Sequence, residues 1–401
     1  MADVHSVDAG ELTALREAVR DLCDREVRQQ DVRRVMATPE GHDPATWRRL
    51  AADLGVLGLA VDEEHGGAGS GLATLCVVAE ELGRALLPAP LLGTVALAAP
   101  ALQLTGDPYG DLPLLLAGDL LATVVAQDGL GRWAPDDVTT AATREGDAVL
   151  LSGTSPHVVD AAGAGLLLVA ARLEGQVELY AVDPAGPGCR VVPQSTMDLT
   201  RRQATVVLEA APARPLGEAG PALDRVGDVA VVVLCAGLVG VAQRLLDLSV
   251  EHARTRFQFG RPIGAFQGVK HRCADMLVAV ETARSTVAHA AEVAHAGGPG
   301  LALAASLAAV TTKEAAVQVA KQAVQVHGGL GFTWEHPAHL YLKRAVGDAA
   351  LLGTPAWHRE RLARLVLDDP AALPGPDAVP AGAEAADLVG ADAPELAGSR
   401  A

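Results

Sequence analysis

Arg254 and Arg256, followed at once by Phe257, Phe259 and Gly260, open the stretch RTRFQFGRPIGAFQGVKHRCADM (254–276). An arginine fork matches the oxygens of a phosphate, and a phenylalanine beside it offers a flat face to a ring system. Such a set could hold a ligand that carries both. Arg254, Arg256, Arg261, Lys270 and Arg272 stand here against one acid, Asp275, in a chain whose formal net charge is -17. A second set, QVHGGLGFTWEHP (325–337), supplies the amide of Gln325 and the paired Gly328 and Gly329, where a ligand can approach backbone N–H groups. On these stretches alone, a solvated charged turn over an ordinary core aromatic and a plain glycine helix cap fit as well.

The elements around these sets follow from periodicity. A helix beginning near Asp228 is predicted to run through GLVGVAQRLLDLSVEHARTRF and stop at Gly260, which leaves Arg256 at a helix end. Apolar residues at helical spacing recur from Arg225 to Asp368, including the long segment that ends at Gly328. Leu12, Leu15, Val19, Leu22 and Val27 begin a helical pattern over about residues 9–123, broken by the glycine-rich loop VDEEHGGAGSG (61–71). Between the two helical regions lie short β-type runs such as DAVLLSG and RQATVVLEA, and APARPLGEAGPALDR (211–225) reads as a Pro/Gly linker. The expected fold class is multi-domain α+β. Residues 1–123 form an amino-terminal helical domain, 124–213 a middle β-domain and 225–368 a carboxy-terminal four-helix bundle, with a disordered tail over 369–401.

The acidic balance argues against nucleic acid or an anionic membrane surface as partner. Five scattered cysteines without a CxxC pair fit reduced buried thiols better than disulfides or a metal site. The apolar run Val229 to Ala242 spans about 14 residues, short of a bilayer, and reads as a core helix. The first residues lack the basic region and apolar run of a secretory signal, so a cytoplasmic location is expected.

Taken together, RxxFGxPIxxFQ, ADM and QxHGGxGF, in this order and at these separations, resemble the carboxy-terminal domain of the acyl-CoA dehydrogenase family over Ala236 to Thr354. LGVLGLAVDEEHGGAG resembles the glycine-rich mouth of the same family's substrate cleft. The resemblance implies an amino-terminal helical domain, a middle β-domain and a four-helix bundle, the order already read from periodicity. It implies an FAD cofactor, an acyl-CoA thioester substrate and an electron-acceptor flavoprotein. It also implies that Arg256, Phe259, Gln325, Gly328 and Gly329 hold the pyrophosphate and adenosine half of an FAD bound by a neighbouring subunit.

The chain departs from the family where the chemistry is done. Removing a proton α to a thioester carbonyl needs a carboxylate base. The usual position, before Gly353-Thr354, holds Leu352, and the other family position, on the first bundle helix, holds Ala230. Asp348 lies one turn before Leu352 and is a weak candidate; Asp228, two residues from Ala230, should face away. Trp133 stands where the flavin-binding loop should have a serine, and His157-Val158-Val159 replaces a Trp-x-Thr. The expectation is a subunit that completes the FAD site of a catalytic partner chain and lacks its own base, similar to the unlike subunits of actinobacterial heterotetramers acting on steroid side-chain CoA thioesters. The rivals are a stand-alone homo-oligomeric dehydrogenase with a displaced base, and a non-enzymatic scaffold of the same fold.

Overall fold

The computed structural model describes residues 8–220, 222–297 and 300–367. The stretch 369–401, expected as a tail, lies outside them. Helices α1 (Ala9–Glu26), α2 (Gln29–Val35), α3 (Pro44–Ala52), α4 (Gly71–Ala85), α5 (Ala99–Leu104) and α6 (Leu112–Leu116) make up the amino-terminal region. A π-helical segment, Leu91–Ala98, leads into α5. Pro100 in α5 supplies a reason: its ring would collide with the carbonyl four residues back, and the wider π turn relieves that collision.

Seven strands follow: β1 (Ala122–Val125), β2 (Ala141–Glu145), β3 (Ala148–Val159), β4 (Leu166–Leu173), β5 (Gln176–Val182), β6 (Cys189–Pro193) and β7 (Gln203–Glu218). Pairing runs β4-β2-β3-β7-β5 and returns from β5 to β4, so these five strands close on themselves; β1 adds parallel to β4, and β6 adds antiparallel to β7. Much of the expected linker at 211–225 is therefore strand. β7 pairs with β3 as far as Ala213, then passes to β5 over Arg214 to Glu218, carrying Pro212 and Pro215 through the change of partner. Proline is tolerated at such irregular points because one N–H fewer is needed there, which is why composition alone misread the segment.

The carboxy-terminal helices are α7 (Ala222–Thr255), α8 (Gln267–His295), α9 (Leu301–His327), α10 (Ala338–Ala350) and α11 (Pro355–Leu367); a short hairpin of β8 (Phe257–Gln258) and β9 (Arg261–Pro262) joins α7 to α8. Alanines at 304, 305, 308, 309, 316, 320 and 323 are buried along α9 and allow its neighbours to approach closely. The apolar run expected to be too short for a membrane belongs to the 34-residue α7, whose 18-residue window has mean hydropathy 2.2. Length does not exclude a membrane span; what marks a core helix is that 78% of that window is buried inside the fold.

Helices α4 and α7 touch backbone to backbone. A Cβ on Gly240 would sit 1.9 Å from the Glu80 carbonyl oxygen, and one on Gly83 would sit 2.0 Å from that of Gly237. Neither backbone can yield without separating the helices. Gly240→Ala is accordingly expected to lower stability by about 1 to 3 kcal/mol, read as a shift in the chemical unfolding midpoint; an unchanged midpoint would show that the two helices can part freely.

Candidate cofactor site

The two motif sets meet at one end of the bundle. α7 ends at Thr255 and α9 at His327, and His252 stacks on His327 with ring centroids 4.6 Å apart. His336, from the segment after α9, lies 4.2 Å from His327 on centroids. Burial, with His327 and Arg256 nearby, lowers the pKa of His252; burial and the neighbouring imidazoles push His336 down to about 4. These two rings are neutral near pH 7 and stack without charge repulsion. The Nδ1–H of His327 donates to the Ala323 carbonyl at 2.7 Å, which fixes the ring on the helix end.

Arg256 is the first residue beyond α7, its N–H donating to the His252 carbonyl at 2.9 Å. Its guanidinium is exposed and has no hydrogen bond or acid partner among the described residues. The hairpin turn that follows is Phe259-Gly260, with φ of 53° and 78°. Two positive φ values in a two-residue loop are the mark of a type I′ turn, in which a non-glycine residue is strained by about 1 to 2 kcal/mol. The strain holds Phe259 out of the protein at 90% exposure, against only an edge contact with Phe266. The chain has four phenylalanines, all in these two motifs, and Phe257, Phe259 and Phe332 are at least 60% exposed.

Gln325 is exposed on the last turn of α9, and its side-chain amide has no partner among the described residues. Gly328 terminates that helix at φ 59°, ψ -138°, a conformation that a side chain would oppose, so the cap reading accounts for it. Gly329 needs no such conformation, and a Cβ on either glycine would meet no atom within 4 Å. The five residues assigned to the pyrophosphate side thus lie around an open surface with unused donors. That surface offers a charged fork, an amide and an aromatic face to an anionic, ring-bearing ligand.

The region around Trp133 is closed. Trp133 is buried, and a Cβ on Gly227 of α7 would fall 2.2 Å from its Nε1. Gly227 and Ala230 are neighbours on one helix face, so the indole covers the face on which Ala230 lies. Asp128 fixes the loop that carries Trp133 by accepting from the N–H groups of Leu130 and Arg132 at 2.9 Å and from Arg132 Nε at 2.7 Å. Despite burial, those bonds hold its carboxyl below the ordinary range. His157 sits at φ 59° with Nδ1 2.9 Å from Gln194 Oε1, while Val158 and Val159 point into the core.

The connection between α10 and α11 is pinned by its carbonyls. Lys313, fully buried on α9, donates from Nζ to Leu351 O at 2.7 Å and also to Gly353 O. His358 donates from Nε2 to Leu352 O at 2.9 Å, and its buried Nδ1 has no partner among the described residues. Burial pushes Lys313 down to about 8, with Cys235 and Asp348 opposing. Burial and the Lys313 charge push His358 down to about 3, so the ring is neutral. Leu352 is held at φ 51° and packs on the core. Sequence reading missed this clamp because Lys313 looks like any helix lysine.

Asp348 and Asp228 are both ion-paired. Asp348 is 2% exposed and takes Arg201 on both oxygens, Nε at 2.6 Å and Nη2 at 3.0 Å. Burial opposes the charge on Arg201, but Asp348 outweighs it and raises the guanidinium above its ordinary pKa. The same network joins Arg344 to Asp198 at 2.9 Å and ties the segment between β6 and β7 to α10. Asp228 is paired to Arg361 through both oxygens. Of the cysteines, Cys23, Cys76 and Cys235 are buried, whereas Cys189 and Cys273 are partly exposed.

Comparison with known proteins places these observations in a family. Residues 10–109 match the model of the acyl-CoA dehydrogenase N-terminal domain and residues 229–367 that of the C-terminal domain. The acyl-CoA dehydrogenase IpdE2 of Mycobacterium tuberculosis is 38% identical over 359 residues, covering 89% of this chain and 97% of its own. Among solved structures, a variant of the Tcur3481-Tcur3483 steroid ACAD superposes with TM-score 0.82 at 32% identity, over 91% of this chain and 100% of that one. The ChsE4-ChsE5 complex of Mycobacterium tuberculosis gives TM-score 0.82 at 28% identity, over 91% and 99%.

Proposed function

This chain belongs to the acyl-CoA dehydrogenase family of oxidoreductases, and from that premise we propose that it serves as the non-catalytic half of a two-chain enzyme. In this reading a partner chain of the same fold supplies the base and the flavin-ring site. This chain completes the partner's FAD pocket with Arg256, Phe259, Gln325 and Gly329.

The observation that carries the reading is an asymmetry within one chain. Arg256, Phe259, Gln325 and Gly329 are exposed, the polar ones without partners among the described residues, while Trp133 is packed against Gly227 where the chain's own ring site would open. Leu352 and Ala230 occupy both family base positions, and Asp348 is consumed by Arg201. When bound, FAD accepts the hydride that leaves the β carbon of the acyl group. The part of this chain is to hold the cofactor's anionic half: Arg256 as a charged fork, Gln325 through its amide, Gly329 through backbone that a side chain would obstruct. Two similar assemblies are described by pairs of names, Tcur3481-Tcur3483 and ChsE4-ChsE5, and one of them as a steroid ACAD. They support a heteromeric assembly and a steroid-derived acyl-CoA as the substrate class.

Arg256→Ala is the test. Losing one charge-assisted contact is worth about 1.5 to 3 kcal/mol, or roughly ten- to a hundredfold in FAD affinity of the co-purified complex. Folding of the variant should be unchanged, since the guanidinium makes no hydrogen bond or ion pair among the described residues. Full FAD retention by the Arg256→Ala complex would remove the phosphate role from this arginine.

A further inference from the structure

We propose that the pocket between α1, α4, α7 and α10 binds a small oxyanion, a phosphate or carboxylate group on a compact organic body, through Arg244. The pocket has a volume of about 300 Å³ and is lined by Arg20, Arg84 and Arg244 against two acids, Asp24 and Glu81. In a chain of net charge -17, a concave surface with an excess of guanidiniums is a local reversal of field.

The two acids do not cancel the three cations evenly. Both oxygens of Glu81 are occupied: Arg20 reaches them with Nε and Nη2 at 3.0 Å each, and Arg16 with Nη1 at 2.9 Å. Arg84 reaches Asp247 with Nη2 at 3.3 Å, behind the pocket wall. Arg244 has no acid within ion-pair distance among the described residues, and is half-buried on α7. Beside it the Tyr341 hydroxyl donates to the Arg84 carbonyl at 2.7 Å, so the phenol oxygen faces Arg244 as an acceptor. Burial pushes this phenol up to about 12, with Arg244 and Arg84 opposing, and it stays neutral. Arg244 is therefore a partly desolvated cation with a phenol oxygen beside it and no ion-pair partner among the described residues, and an oxyanion is a ligand that would satisfy it. Val32 and Leu340 give the pocket an apolar floor, and its volume exceeds that of a bare anion, which calls for a small organic body.

Arg244 lies twelve residues before Arg256, about 18 Å along the helix rise, so the two arginines can be tested apart. The full chain is titrated calorimetrically with inorganic phosphate and with succinate, each against sodium chloride at matched ionic strength. We expect saturable binding of at least one of the two anions; the tighter one identifies the group recognised. Arg244→Ala and Arg244→Met should weaken it at least tenfold, Arg244→Lys less, and Arg190→Ala, on the exposed edge of β6, not at all. Circular dichroism establishes that each variant is folded, and Arg244→Lys, which keeps the charge and the aliphatic stem, serves if the shorter variants do not fold. Binding no stronger than that of chloride, binding unaffected by every Arg244 variant, or binding abolished by Arg190→Ala would each overturn the proposal. None of these outcomes depends on FAD or on a partner chain.

Discussion

Asp348→Asn is expected to destabilise the chain by about 3 to 5 kcal/mol, because it leaves Arg201 buried without its bidentate acid. Asp160 and Asp198 also act on Arg201, which should keep the loss toward the lower end of that range. The measurement is the chemical unfolding midpoint beside that of the unaltered chain. A displaced-base enzyme predicts the opposite pattern: a chain of normal stability whose turnover collapses. The geometry sides with the first outcome, since both carboxylate oxygens are already committed and the side chain is 2% exposed. Normal stability with lost turnover in a chain purified alone would restore Asp348 as the base.

Trp133→Ala should also lower stability by about 3 to 5 kcal/mol, the usual loss for emptying a buried aromatic site. The indole Nε1–H has no partner among the described residues, so removing it relieves one unsatisfied donor and trims the loss slightly. The cavity would open against Gly227, on the α7 face that bears Ala230. Even so, no dehydrogenation by this chain alone is expected, because neither Ala230 nor Leu352 can take a proton. A stability change within about half a kcal/mol would mean that Trp133 does not fill the space between the loop and the helix. Turnover by the lone variant would mean that the chain hides a base of its own.

Much of the architecture was legible because the period of apolar residues changes from helical to alternating and back. That Arg256 lies at a helix end was legible from Gly260 and Pro262, but the helix stops at Thr255 rather than at Gly260, because a short hairpin takes up Phe257 to Pro262. The segment at 211–225 was not: Pro212, Pro215 and Gly217 look like a linker, and only the closing of the sheet from β7 onto β5 makes them strand. The clamp of Lys313 and His358 on the α10–α11 connection was equally hidden. It depends on three elements distant in sequence, and nothing local distinguishes a buried lysine from a solvated one. The ion pair of Arg201 with Asp348 spans 147 positions and escaped for the same reason, which is how Asp348 could be entertained as a base. The closure at Trp133 was half legible: that a tryptophan and not a serine stands there can be read from sequence, but its seat against Gly227 is a tertiary contact.

The most direct test of the central claim is the flavin absorbance spectrum of this chain purified alone and purified as a complex with a co-expressed family partner. The account predicts little FAD on the lone chain and no reduction of an acceptor dye by it, and a complex that carries flavin and is active on an acyl-CoA. Stoichiometric FAD and dye reduction by the lone chain would contradict it, for then the closed face at Trp133 and the leucine at 352 would not prevent this protein from doing the chemistry itself.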